Sequence, residues 1–238
     1  MTIQLYDLVG ADAARPFSPH CWKTAMSLAH KGLDFTRVPT RFPEVRQIEG
    51  GASKTVPVIN DGGTIVSDSF AIAEYLEDTY PDRPSLFGGE GGRATTRFVE
   101  SWTQWVVHPQ LVRVAIMDIH DCLSPADQAW FRADREGKFG KPLEDIRMSG
   151  EEAQEAFSKS LDPLRATLKK QPFLGGEGPL FADYIVFGAF QWARVVSAHE
   201  FLPSGDPVAD WFARCLDLHG GLGAKVPAPP LQIPPVAI

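Results

Sequence analysis

Ser18-Pro19-His20-Cys21-Trp22 is the stretch of this 238-residue chain that decides its fold. Ser18 is a favoured N-cap residue, and Pro19 suits the first helical position, where an N–H would have no partner anyway. Cys21 and Ala25 continue at helical spacing, so the stretch predicts a helix with one apolar face. The unpaired amides and the positive end of such a helix form a site for an anion.

The first 81 residues read as strand, helix, strand, an irregular segment, two strands and a helix. Strands are predicted over 3–8, 33–38, 55–59 and 64–66, and helices from Pro19 to Gly32 and over 70–79. Asn60-Asp61-Gly62-Gly63 predicts a tight turn between the last two strands, and Ser69 is the predicted N-cap of the second helix.

The remainder of the chain carries only helical patterns after a segment rich in proline and glycine. We therefore divide it into a domain over 1–81, a linker over 82–93 and an all-helical domain over 94–238. Helices are predicted over 94–118, 151–170, 182–196 and 207–218, a polar mixed segment over 121–150, and a proline-rich, extended tail over 226–238.

Composition restricts the class of protein. The formal net charge of -7 and the pI of about 5.4 argue against nucleic acid or an anionic membrane surface as a partner. The N-terminus lacks a signal-peptide pattern and no apolar run reaches membrane-spanning length, so we expect a cytoplasmic protein. Cys21, Cys122 and Cys215 are an odd number at wide spacing, which predicts reduced thiols and no metal site.

Three short motifs, in this order, resemble the glutathione transferase superfamily: Ser18-Pro19, Val56-Pro57-Val58-Ile59 and Ser67-Asp68-Ser69. Ser18 occupies the position of the first cysteine in the C-x-x-C motif of thioredoxin-like folds, where a hydroxyl cannot form a disulfide. The resemblance implies an α/β thioredoxin-like N-terminal domain, an all-α C-terminal domain, glutathione as co-substrate and a homodimer.

Further motifs resemble the β-etherase and etherase-like class of lignin-degrading bacteria and wood-rotting fungi. They are Leu5-Tyr6-Asp7-Leu8, Trp22-Lys23-Thr24, His30-Lys31-Gly32, Ile72-Ala73-Glu74-Tyr75-Leu76 and Phe181-Ala182-Asp183-Tyr184. One position departs from the superfamily: Leu180 stands where a Ser, Thr or Asn usually caps the helix that carries Asp183. The missing hydroxyl costs about 1 kcal/mol.

The resemblance also implies roles for individual residues in binding glutathione. Ser18 would donate a hydrogen bond to the thiolate, Val56 would pair with the cysteinyl backbone ahead of a cis Pro57, and Asp68 and Ser69 would hold the γ-glutamyl end. The glycyl carboxylate needs a donor, and the candidates are Arg41, Arg46, Gln47 and Lys54, of which we favour Lys54. For Ser18 and Ser69 the competing interpretation is a helix cap without a ligand.

The second substrate is expected between the two domains. Several aromatic, imidazole and apolar residues are candidates to line that site and suit a flat phenolic molecule: Phe17, His20, Trp105, His108, Val112 and Ile116. The competing interpretation of the aromatic series that includes Phe98, Trp102 and Trp105 is a core or dimer contact.

Together these patterns predict an enzyme that transfers glutathione thiolate to an aromatic electrophile, in the etherase version with release of a phenol. The main alternative is a carrier of phenolic compounds that retains a glutathione site without turnover. A third is an oxidoreductase that uses Cys21, although the place of Cys21 on the apolar face of its helix favours a buried structural residue.

Overall fold

The computed structural model describes residues 2–147 and 151–231, the side chains of 151–153 excepted. A four-stranded mixed sheet has the order β2-β1-β3-β4, with β1 at Ile3–Leu8, β2 at Phe35–Thr40, β3 at Val58–Asp61 and β4 at Thr64–Ser67. β1 runs parallel to β2 and antiparallel to β3, and β3 is antiparallel to β4. This is the predicted thioredoxin-like arrangement.

Two helices complete the N-terminal domain, α1 at Pro19–His30 and α2 at Ser69–Thr79. The crossover from β1 to the parallel β2 runs through α1, which packs on β1 and α2. The irregular segment contains a 3₁₀ helix at Phe42–Gly50. The predicted tight turn is confirmed: Asp61 pairs with Thr64, which leaves two glycines with φ of 60° and 101°.

The C-terminal domain is helical. Its helices are α3 at Glu90–Trp102, α4 at His108–Asp121, α5 at Pro125–Phe139, α6 at Leu143–Ile146, α7 at Glu151–Ser160, α8 at Asp162–Leu168, α9 at Phe181–Val196 and α10 at Pro207–Gly221. A π-turn at Thr103–Val107 joins α3 to α4. The predicted long helix over 94–118 therefore contains a defect, because Pro109 has no N–H to donate to the preceding turn.

Other sequence-based expectations need correction. The segment 121–150 contains α5 and α6, and the single helix predicted over 151–170 is two helices, with Pro163 in the first turn of the second. The third strand begins at Val58 and not at residue 55, and α3 begins inside the predicted linker. The tail lacks regular structure as far as residue 231, and 232–238 lie outside the described residues.

The two domains share a hydrophobic core, and α9 lies at its centre. α9 packs against α1, where Gly188 approaches so closely that a Cβ there would lie 2.3 Å from the carbonyl oxygen of Pro19. The prediction that Leu180 caps α9 without a side-chain hydrogen bond is confirmed. The Asp183 carboxylate bonds the backbone N–H groups of Leu174, Gly175 and Leu180.

Candidate functional site

A cavity of about 560 Å³ lies between the N-terminus of α1 and the 3₁₀ segment on one side and α4 and α5 on the other. Its size is within the range of small-molecule sites. Ser18 stands at one end, where α1 points its first turn at the cavity. Among the described residues, no group of three or more His, Cys, Asp and Glu side chains is placed to hold a metal ion.

Ser18 is the N-cap of α1, as predicted, and its side chain is 3% exposed. Its Oγ accepts a long hydrogen bond of 3.3 Å from the Cys21 backbone N–H. A hydroxyl that accepts in this way keeps its proton for donation. The hydroxyl of Ser18 and the positive end of α1 therefore act on the same end of the cavity.

Cys21 is completely buried one turn further along α1. Burial raises the pKa of its thiol well above the usual value, and the nearby Asp7 carboxylate raises it further. Because the thiolate is the nucleophilic form, Cys21 is a poor nucleophile in this structure. The interpretation of Cys21 as a buried structural residue fits this environment.

The Val56–Pro57 peptide bond is cis, as predicted. Val56 is half-buried and lines the cavity, and because the ladder of β3 begins at Val58, its N–H and C=O lie outside the sheet. Pro57 is buried behind it. A ligand with a peptide backbone would therefore find one exposed chain segment to pair with at this edge.

Asp68, and not Ser69 as predicted, is the N-cap of α2. Its backbone has a φ of 75°, and its Oδ1 accepts hydrogen bonds of 2.9 Å from the N–H groups of Phe70 and Ala71. The correction has a simple cause, since the Asp side chain reaches two helical amides and tolerates the left-handed region. Neither Asp68 nor the buried Ser69 lines the cavity.

The structure places two of the four candidate donors to the glycyl carboxylate at the cavity and two away from it. Lys54 and Arg46 both line the cavity, whereas Arg41 and Gln47 do not. Arg41 is held by Glu44, whose carboxylate lies 2.8 Å from the guanidinium. The two cavity cations remain the candidates.

Five of the residues expected around the second substrate line the cavity: Phe17, His20, His108, Val112 and Ile116. Trp105 does not; it lies on the π-turn and is 80% exposed. The expectation for Trp105 is wrong because the π-turn changes the helical phase on which it rested. The core interpretation is equally wrong for Phe98, which is 72% exposed.

Part of the cavity wall escaped sequence analysis altogether. It consists of Phe42 on the 3₁₀ segment, Trp130, Phe131 and Arg135 on α5, and Trp192 on α9. Phe42 stacks on Trp130 with a centroid distance of 5.2 Å, so the N-terminal domain touches α5 directly across the cavity. The apolar positions of α5 were the available signal, but its many charged residues hid them.

Two imidazoles meet in the cavity wall. The rings of His20 and His108 are 5.4 Å apart, edge to face, and His108 also packs against Trp192. Burial, with a smaller contribution from the Lys23 ammonium, lowers the pKa of His108 to about 3 and lowers that of His20 well below its usual value. Both rings are therefore neutral at physiological pH.

Lys23 is itself buried behind this pair, with its Nζ 3.8 Å from Glu100. Burial lowers the pKa of Lys23 to about 8, against the opposing effect of Glu100. His108 Nε2 has no hydrogen-bond partner among the described residues. The two imidazoles on this side of the cavity are therefore neutral, and one of their ring nitrogens is unsatisfied.

Comparison with known proteins identifies the family. The model of the glutathione S-transferase N-terminal domain matches residues 17–79, and that of the glutathione S-transferase C-terminal domain matches residues 94–216. A glutathione S-transferase-like protein of Aspergillus flavus, ustS, is 24% identical over 76% of this chain and 75% of its own length.

Solved structures of fungal transferases agree over nearly the whole chain. Glutathione transferase GSTFuA3 of Phanerochaete chrysosporium is 31% identical, with a TM-score of 0.74, over 95% of this chain and 94% of its own. CsGST63524 of Ceriporiopsis subvermispora, crystallised with glutathione, is 26% identical with a TM-score of 0.76 over 96% and 99%. The chain belongs to the glutathione S-transferase family.

Proposed function

We propose that this protein is a serine-type glutathione transferase of the etherase-like class, which transfers glutathione thiolate to an aromatic electrophile. The observation that carries the proposal is the placement of the Ser18 hydroxyl and the α1 N-terminus at one end of a cavity whose other walls are aromatic. When bound, glutathione supplies the thiol that becomes the nucleophile.

Ser18 and α1 would lower the pKa of that thiol. A free thiol with a pKa near 8.5 is only about 3% ionised at neutral pH. Lowering the pKa by about two units makes the thiolate the main form, which requires about 2.7 kcal/mol of preferential stabilisation. One hydrogen bond to a charged acceptor contributes about 1.5–3 kcal/mol and the helix end adds to it, so the two together are sufficient.

The N-terminal domain would supply the remaining contacts to glutathione. Val56 offers its unpaired backbone N–H and C=O to the cysteinyl unit, and Lys54 or Arg46 meets the glycyl carboxylate. Oδ1 of Asp68 is bonded to the α2 amides, which leaves Oδ2 for the γ-glutamyl ammonium. Ser69 would contact the γ-glutamyl carboxylate. Pro57 holds Val56 in position.

The electrophile would occupy the aromatic part of the cavity. Phe17, His20, His108 and Val112 line it together with the α5 wall, and flat rings pack well on such surfaces. In the etherase version the carbon attacked bears an aryl ether next to a carbonyl. The carbon–sulfur bond forms as the carbon–oxygen bond breaks, and the phenolate leaves with the bonding pair. The protein's contribution is thiol activation and alignment.

The test measures glutathione-dependent release of phenol from a β-aryl ether ketone by the wild type and by Ser18→Ala. We expect the variant to lose about 10-fold of the rate at neutral pH, since the thiol pKa returns toward its free value and the thiolate fraction falls accordingly. Ser204→Ala, at an exposed loop position, is the matched control and retains full activity. Unchanged release in Ser18→Ala would contradict the role of Ser18.

The second candidate is the carrier of phenolic compounds, which the size and apolar lining of the cavity favour. Tight binding of a phenol without turnover of any electrophile, with glutathione still bound in calorimetry, would establish it.

We also infer a cytoplasmic homodimer. Its three cysteines are unpaired, and Phe98 and Trp105, 72% and 80% exposed on one stretch of α3 and the π-turn, are apolar surface that a second copy would cover. Sedimentation should give twice the chain mass of 26.1 kDa, and Trp105→Glu should reduce it to one chain.

A further inference from the structure

Cations are concentrated around the cavity of an otherwise acidic protein. The whole chain has 30 acidic and 23 basic residues. Among the described residues the cavity lining reverses this balance, because it has one acidic residue, Asp134, and five basic residues, Arg46, Lys54, Arg113, Arg135 and Lys138. A local excess of this kind attracts an anion.

Four of the five cations fall into two groups, one in the N-terminal domain and one on α5, and Arg113 lies on α4. Arg46 and Lys54 lie in the N-terminal domain near Val56, where the proposed glutathione carboxylate accounts for them. Arg135 and Lys138 lie on α5, in the C-terminal domain. Glutathione held along the N-terminal domain does not explain the α5 group.

Asp134 neutralises only part of the α5 group. Its Oδ2 is bonded to Arg135 and lies 2.9 Å from the Nζ of Lys138. Two cations thus share one carboxylate, which leaves one positive charge at the cavity rim. Lys138 is 63% exposed and Arg135 is 27% exposed, so both can contact a ligand without a large rearrangement.

The positive charge of Arg135 lies directly beside the aromatic residues of the cavity wall. The guanidinium of Arg135 lies 4.9 Å from the ring centre of Phe131 and 5.9 Å from that of Phe42, which in turn stacks on Trp130. A ring that packs on this wall places its substituents beside Arg135. The aromatic side chains and the guanidinium of Arg135 can therefore bind the ring and an anionic substituent of the same molecule.

We propose that the electrophile is an aromatic compound that carries a carboxylate, and that Arg135 and Lys138 select for this group. The inference rests on the proposed transferase function and names the class of its second substrate. Because the pair lies near solvent, the preference is moderate and weakens as salt is added.

The experiment uses two benzyl chlorides that differ in one para substituent, a carboxylate in one and a carboxamide in the other. Glutathione displaces chloride from both, and the two groups are similar in size. The readout is the ratio of kcat/KM for the acid to that for the amide, after subtraction of the uncatalysed rates. In the wild type we expect a ratio above unity that falls with ionic strength.

The variants are Lys138→Gln and Arg135→Gln, and the control is Arg132→Gln. Arg132 lies on the same helix but pairs with Glu136 and Glu144 outside the cavity. Each variant should lower the ratio by about 2–5-fold, and the control should leave it unchanged. Melting temperatures identify any loss of folding in Arg135→Gln, and the exposed Lys138 carries the test in that event.

The outcomes separate this inference from the proposed function. If both chlorides react but the ratio is at or below unity, or is the same in all variants, the enzyme is a transferase and the inference is wrong. If neither reacts, the transferase proposal fails for these electrophiles. In that case, calorimetry measures the binding of the two thioether conjugates, one with the carboxylate and one with the carboxamide. Tighter binding of the carboxylate conjugate, weakened in Lys138→Gln, supports the anion site. Equal binding of the two conjugates refutes it.

Discussion

Gly188→Ala, on α9 of the C-terminal domain, should displace Ser18 in the N-terminal domain and so disturb the site proposed for the glutathione thiol. A Cβ at this position would lie 2.3 Å from the carbonyl oxygen of Pro19, and ordinary contacts begin at 3.4 Å, so α9 and α1 must separate by about 1.1 Å. The obstructing atom is backbone, which cannot rotate away. Pro19 directly follows Ser18, so the displacement reaches the hydroxyl that faces the cavity.

Two energies oppose one another in this variant. Forcing a methyl group into a packed interface costs about 1–3 kcal/mol, and replacing a helical glycine with alanine returns up to about 1 kcal/mol. The net loss of about 1–2 kcal/mol corresponds to a melting temperature lower by about 2–8 °C in a chain of this size. Catalysis should lose more, because a misplacement of about 1 Å can cost about 10²-fold in rate.

The assay has three readouts, all taken well below the melting temperature of the variant. They are the melting temperature, kcat/KM with a benzyl chloride, and the pKa of bound glutathione from the ultraviolet absorbance of the thiolate. Gly137→Ala, on α5 with open space around the new Cβ, is the matched control and should be as stable as the wild type or more so. A Gly188→Ala protein with an unchanged bound-thiol pKa would refute the argument that α9 positions Ser18.

Other predictions follow from buried polar groups. Burial lowers the pKa of His30, and it lowers that of His219 to about 4, so the unfolded chain takes up more protons than the folded chain as the pH falls below about 6.5; thermal melts should show stability decreasing from there toward pH 4. His219→Asn, which suits the φ of 53° there, should remove part of that pH dependence, and the other buried histidines, His20, His30 and His108, account for the rest. Asp183→Asn should lower the free energy of unfolding in urea by about 3 kcal/mol, because the amide keeps one acceptor oxygen and turns an NH2 donor toward two of the four N–H groups that bond the buried carboxylate, one of which belongs to Trp211. Cys21→Ala should retain transferase activity in the phenol-release assay, and its loss would instead favour the oxidoreductase.

The fold was largely predictable because its signals are local. The cap at Ser18, the glycine turn after Asp61 and the proline after Val56 each determine backbone geometry within a few residues, and together they order the thioredoxin-like half. The helical half was harder. The π-turn ahead of Pro109 and the break at Leu161 interrupt helices whose apolar patterns continue across them, and spacing alone does not reveal either.

The residues of the candidate site also differ in how well the sequence predicts them. Residues tied to the ends of secondary-structure elements, such as Ser18 and Val56, lie where the sequence indicates. Residues from the helical domain do not follow from spacing, since Trp105 turns outward and Trp130 and Arg135 come from a helix whose charges masked it. At the cavity α5 meets the N-terminal domain through the stack of Phe42 on Trp130, a contact between residues 88 positions apart that no local pattern encodes.

If both proposals hold, the electrostatics of the cavity explain how one chamber accepts two anions. A thiolate at Ser18 and a carboxylate on the electrophile repel each other, and protonated imidazoles between them would hold both without selectivity. Burial keeps His20 and His108 neutral, so the positive charge at the cavity lies at the α1 N-terminus and on the basic residues of the lining, among them Arg135 and Lys138 on α5. Each anion then has its own partner, and the apolar middle is left to the ring and the reacting carbon. Because the whole chain has a net charge of -7, the local excess of cations directs anions toward this cavity in preference to the general surface.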